Sequence, residues 1–190
     1  MQEIGKTIEY VAFHESGHIL LAYLEGDAVL RAEIQIEEGQ FKHAETEYTE
    51  DASTTLKEYE FTLLFGYGGL PEQQKQLVLS HWHKVLSRSL GGPIAEAYYA
   101  SGMNHACNLE IALVGGDGKF VDYCNKNLIK HDPDYNENSL DRRIEEITES
   151  VKQHWGIVED LSKFLCESKI FSIDQTTIEN ILEKHGLIRR

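Results

Sequence analysis

Apolar positions along the chain change period, and the changes mark out the elements. Ile8, Val11, Ala12, Ile19, Leu20, Leu21 and Leu24 recur at helical spacing and predict a strongly apolar helix over 8–26. Thr7 is placed to cap its start and Gly26 to follow its end. The pattern then alternates. Leu30, Ala32, Ile34 and Ile36 fall on one side and Arg31, Glu33 and Gln35 on the other, which predicts a half-buried strand. A turn over 37–40 returns the chain as a second strand over 41–48, giving a hairpin.

A polar, acidic loop over 49–55 leads to an apolar stretch over 56–64 that fits either period. Gly66-Tyr67-Gly68-Gly69-Leu70-Pro71 must be a loop or turn, and it lacks the spacing and lysine of a phosphate-binding loop. Residues 72–90 predict a helix. The glycine pair Gly91-Gly92 permits close approach of another backbone, and Pro93 suits the first turn of a new helix. A polar loop over 101–108 and a short apolar run over 109–114 follow. Asp117 then opens a helix carried by Val121, Cys124 and Leu128. After a break at 131–134, Ser139 is placed to cap a long amphipathic helix striped by Leu140, Ile144, Ile147, Val151, Trp155 and Val158, with a break near Gly156. Ile173-Asp174 leads into a last helix through Leu182. The expected fold is mostly α with a small β-hairpin or sheet, in a single domain over 1–190.

Composition narrows the function. With 41% hydrophobic residues in 190, the chain can build a real core, and no run approaches the ~20 apolar residues of a membrane span. The opening MQEIGKTIEY is not a signal peptide. Cys107, Cys124 and Cys166 are odd in number and widely spaced, so reduced thiols in a cytoplasmic protein are expected rather than a disulfide framework. A net charge of −14 argues against nucleic acid and anionic membrane surfaces as partners.

The first helix carries the chemistry. It contains His14-Glu15-Ser16-Gly17-His18, an H-E-x-x-H. Residues four apart share a helix face, so His14 and His18 can reach one metal ion, and Glu15 projects close enough to accept a proton from an attacking water. Two imidazoles and a carboxylate in so apolar a helix would be costly to bury without partners. This is the arrangement of a zinc peptidase. His81 and His83, two apart, do not share a face and read as surface or structural residues. His43 reads as a surface strand histidine, with oxyanion stabilisation as its functional alternative.

HESGH, a strand pair, LGGPIAEAYY, and then a glycine-rich approach to an aspartate that opens a helix form an ordered series. The series resembles the peptidase domain of FtsH-type ATP-dependent zinc proteases, with their HEAGH-like helix, LGGRxAEE-like helix start and TGAxNDL-like segment. The closing stretch from SLDRRIEEI to TTIENIL resembles that domain's last helices. The resemblance implies an FtsH-peptidase-like helical metalloprotease domain, with a metal-site core over 1–132 and C-terminal helices over 133–190. It implies Zn²⁺ held by His14 and His18, Glu15 as general base, and Glu96 as a residue that steadies a ligand histidine. For the third ligand two alignments compete, one giving Asn108 and the other Asp117. Asp117 is preferred because it supplies charge and an oxygen donor, with Glu110 an outside candidate. The chain departs from the family at Pro93, at Ala97 and through a longer 49–79 stretch.

The 190 residues hold no ATPase module or Walker motif, so the expectation is a free-standing zinc metalloendopeptidase, ATP-independent in itself. It would act on peptides, flexible loops or unfolded protein, as a monomer, a homo-oligomer or with a separately encoded unfoldase. An extended substrate could add to the hairpin as a further strand. The rivals are a catalytically inactive peptide-binding or adaptor protein on a metallopeptidase scaffold, and a zinc hydrolase or regulator acting on something other than peptides.

Overall fold

The apolar run around the H-E-x-x-H forms the central helix, and the other elements wrap it. The computed structural model describes residues 2–37, 40–48, 66–102, 116–168 and 171–187. They form α1 (Gln2–Leu24), β1 (Val29–Glu37), β2 (Gln40–Tyr48), a 3-10 turn (Tyr67–Gly69), α2 (Glu72–Ala100), α3 (Gly116–His131), α4 (Ser139–Gln153), α5 (Trp155–Glu167), β3 (Ser172–Asp174) and α6 (Gln175–Lys184). The fold is mostly helical with one small antiparallel sheet, in strand order β2-β1-β3. The predicted segments over 49–55, 56–64 and 109–114, and Cys107, Asn108 and Glu110, lie outside the described residues. No helix among the described residues is long and apolar enough to cross a membrane.

The end of α1 follows from Gly26. With Gly26 at φ +82°, its N–H donates to the Tyr23 carbonyl (3.0 Å) and the Asp27 N–H to the Ala22 carbonyl (2.8 Å). This double closure satisfies carbonyls that the helix would leave open, and glycine adopts the required backbone without a Cβ clash. The start differs from expectation. α1 begins at Gln2, so Thr7 lies within the helix and not at its start.

In β1, Val29, Ala32 and Ile34 are buried while Leu30 is 37% exposed, against the predicted alternation. The pairing with β2 is irregular between Val29 and Arg31, and an extra residue there reverses which face the next side chain meets. β2 alternates from His43 to Tyr48, with Ala44, Thr46 and Tyr48 turned inward and His43, Glu45 and Glu47 exposed, and its register shifts at Lys42. The sequence pattern does not reveal β3. It is three residues long, and it docks on β1 with Ala32 opposite Ile173.

α2 corrects a second expectation. It runs unbroken from Glu72 to Ala100 with Pro93 inside it, rather than ending before Gly91 and restarting. Two glycines and a proline are poor helix formers, and Pro93 offers no N–H to the Ser89 carbonyl. Packing overrides propensity here. A Cβ on Gly17 of α1 would stand 2.2 Å from the Gly91 carbonyl oxygen, so the two helices cross backbone against backbone. Further along, α4 starts at Ser139 with Asn138 at the cap position. The Ser139 hydroxyl accepts from the Asn136 N–H (2.9 Å) instead of capping the helix. The break between α4 and α5 falls at His154.

α5 packs on α1 through Phe13, which stacks on Tyr99 of α2 (3.8 Å between ring centroids) and Trp155 of α5 (5.3 Å). The core beneath is aliphatic, with Ile19, Leu20, Leu90, Ile94, Leu161 and Leu165 all fully buried. α6 is capped by Asp174, whose carboxylate accepts from the Thr177 N–H (2.8 Å).

Candidate metal centre

α1 lays His14 and His18 across the glycine pair of α2. An added Cβ at Gly92 would lie 2.5 Å from His18 Nε2 and 2.8 Å from His14 Cδ2, so only glycine leaves room for both rings. The first turn of α3 brings Asp117 to the same point from 103 residues further along the chain. His14 Nε2 is 3.0 Å from Asp117 Oδ2 and 3.0 Å from His18 Nε2, and His18 Nε2 is 3.5 Å from Asp117 Oδ2.

The outer partners fix the chemistry of these atoms. The Nδ1–H of His18 donates to the Arg88 carbonyl (2.7 Å), and the Nδ1–H of His14 donates to Glu96 Oε2 (2.9 Å). A carbonyl and a carboxylate can only accept, so both Nδ1 atoms carry the proton and a neutral ring presents its lone pair at Nε2. Three acceptors then face one another, and such an arrangement needs a cation. In the chain alone a proton fills the role. Burial by itself would lower the His14 pKa, but its hydrogen bonds to Asp117 and Glu96, with the charges of Glu15 and Asp117, raise it to about 10. Burial would raise the Asp117 pKa, but the histidine contacts hold its carboxyl well below the usual carboxylate range.

A metal ion fits the same point. Ligand atoms on a tetrahedral zinc, with bonds near 2.0–2.1 Å, stand about 3.3 Å apart, and the three edges here are 3.0, 3.0 and 3.5 Å. Two imidazole nitrogens and a carboxylate oxygen are a donor set zinc accepts, and each imidazole has the hydrogen-bonded outer partner that ligating histidines usually have. Among the described residues this is the single cluster of three or more His, Cys, Asp or Glu side chains that could hold a metal.

Glu15 sits on the same turn of α1, buried at 4% exposure. The Thr46 hydroxyl of β2 donates to its Oε2 (2.6 Å). Arg88, whose carbonyl holds His18, is itself clamped. Its guanidinium pairs with the buried Asp27 (3.0 Å), which also accepts from Lys84 (3.0 Å), and it lies over the Tyr48 ring (4.3 Å).

The structure thus brings His14, His18, Asp117, Glu15 and Glu96 into one site. The other histidines singled out lie elsewhere. His83 pairs with Asp132 (2.7 Å), and His43 is 58% exposed beside Glu45. The sequence reading did not identify Thr46, the Arg88 carbonyl or the steric role of Gly92. Only Gly92 left a trace, as part of a glycine pair inside a segment that is otherwise helical. No model of a known protein family matches this chain, and no curated protein matches it.

Proposed function

We propose that the protein is a zinc-dependent hydrolase of peptide bonds, built like the FtsH-type peptidase domains that its motifs resemble. The observation that carries this reading is the convergence of His14 Nε2, His18 Nε2 and Asp117 Oδ2 beside a buried, positioned Glu15. These three atoms would hold the ion. Zinc bound there supplies a Lewis acid that polarises the scissile carbonyl and acidifies water. Glu15 accepts the proton from the attacking water and delivers it to the leaving amine. Glu96 and the Arg88 carbonyl keep both imidazoles in the ligating tautomer.

A His₂-carboxylate set also serves non-haem iron oxygenases. A carboxylate placed beside the ligands favours hydrolysis, because a hydrolase needs a base there. The substrate class is an extended peptide or unfolded chain, met by the hairpin that borders Glu15, and no nucleotide enters the reaction. A cytoplasmic setting, with a homo-oligomer or a separate unfoldase as partner, fits this reading.

Glu15→Gln tests it. The variant should keep one equivalent of zinc and lose cleavage of an internally quenched peptide by at least about a hundredfold. Undiminished cleavage would remove Glu15 from the mechanism. A function that survives without any cleavage would favour an adaptor on this scaffold.

A further inference from the structure

A buried general base has two oxygens, and only one need receive the proton. Here the two differ. Oε2 of Glu15 accepts from the Thr46 hydroxyl at 2.6 Å, while Oε1 makes no hydrogen bond among the described residues and is not a buried orphan. Thr46 belongs to β2, 31 residues from Glu15, on the inward row shared with Ala44 and Tyr48. Its place is set by pairing with Ala32, which is fully buried and is held from the other side by Ile173. The hydroxyl therefore stands on an edge strand whose one neighbour, β1, is itself held on its far side by β3.

We propose that Thr46 is a positioning residue that pins Oε2 of Glu15 and thereby selects Oε1 as the oxygen that takes and returns the proton. This rests on the hydrolase reading above. A carboxylate side chain turns freely about its last bond, and one short hydrogen bond from a strand in register with β1 removes that freedom. The geometry also links the strand nearest the base to the base itself, so displacing β2 would disturb proton transfer before it disturbed the ligands.

The test compares Thr46→Val, which removes the hydroxyl at nearly constant volume, with Thr46→Ser, which keeps it. Both are measured in the full chain loaded with zinc. We expect Thr46→Val to keep one equivalent of zinc and a KM within about twofold of wild type, while kcat falls about tenfold or more. Thr46→Ser should restore kcat to within a few-fold. A role confined to packing would lower the thermal midpoint of both variants without this split. A second readout needs no activity: Thr46→Val should lower the urea midpoint of the metal-free chain but leave it unmoved in a Glu15→Ala background. Should Thr46→Val fail to fold, Thr46→Ala carries the same comparisons. A zinc-loaded wild type that cleaves no peptide overturns the hydrolase reading and this role with it. An active wild type whose Thr46→Val variant keeps full kcat, or whose Thr46→Ser variant is equally impaired, overturns this role alone.

Discussion

Replacing Gly92 by alanine adds one methyl group at the point where the two ligand rings rest. The new Cβ would lie 2.5 Å from His18 Nε2 and 2.7 Å from His18 Cε1, about 0.9 Å short of the 3.4 Å at which ordinary contact begins. The ring cannot yield freely, because its Nδ1 is tied at 2.7 Å to the Arg88 carbonyl of the same helix. α2 can back away only by opening the close packing of Gly91 on Gly17 one residue before. Zinc sites tolerate errors of about 0.2 Å in ligand distance, so a displacement several times larger removes His18 from the set. The stability terms oppose each other. Overpacking costs about 1–3 kcal/mol, while alanine is favoured over glycine inside a helix by up to about 1 kcal/mol. Gly92→Ala should therefore fold, with a Tm lowered by no more than about 8 °C, yet bind zinc at least about a hundredfold more weakly. Thermal unfolding of the metal-free chain and a competitive zinc titration read the two effects separately. Wild-type zinc affinity in Gly92→Ala would refute the steric argument.

Zinc binding should also release a proton. At pH 7 the metal-free His14 is charged, because its pKa is raised to about 10, and coordination requires the bare Nε2. Calorimetry in buffers of different ionisation enthalpy should report close to one proton released per zinc near neutrality, falling as pH approaches 10. Zero release at pH 7 would contradict the contact. In the metal-free chain the same contact stabilises fully below pH 6.5 and is lost as pH rises through about 10. The lowered Asp117 pKa means that it is also lost as pH falls below the ordinary 3.8. Asp27→Ala removes the carboxylate from the buried Arg88 guanidinium and should cost about 3 kcal/mol, a Tm drop of about 6–12 °C. A drop below about 2 °C would mean that the pair contributes little.

Period and motif made the central helix, the hairpin and the helix opened by Asp117 legible in the sequence. The failures have local causes. Gly91, Gly92 and Pro93 argue for a break, yet α2 continues through them, with Gly91 packed backbone to backbone on Gly17 and Gly92 leaving room for the His14 and His18 rings. A register irregularity at Val29/Arg31 turned Leu30 outward, and the alternation of apolar residues carries no sign of it. β3 is too short to show a period of its own. At the site, His14, Glu15 and His18 are readable because four-residue spacing on a helix is itself geometry. Asp117 lies 103 residues away, and choosing it over Asn108 or Glu110 needed a family likeness and an argument from donor chemistry. Thr46 was out of reach, because a hydroxyl on the inner face of a strand looks the same whether it meets a carboxylate or nothing.

Metal content tests the central claim most directly. Elemental analysis of the purified chain, after exposure to zinc and removal of the excess, should find one equivalent per chain in the wild type and almost none in Asp117→Ala. A well-folded wild type that takes up no zinc would contradict the account.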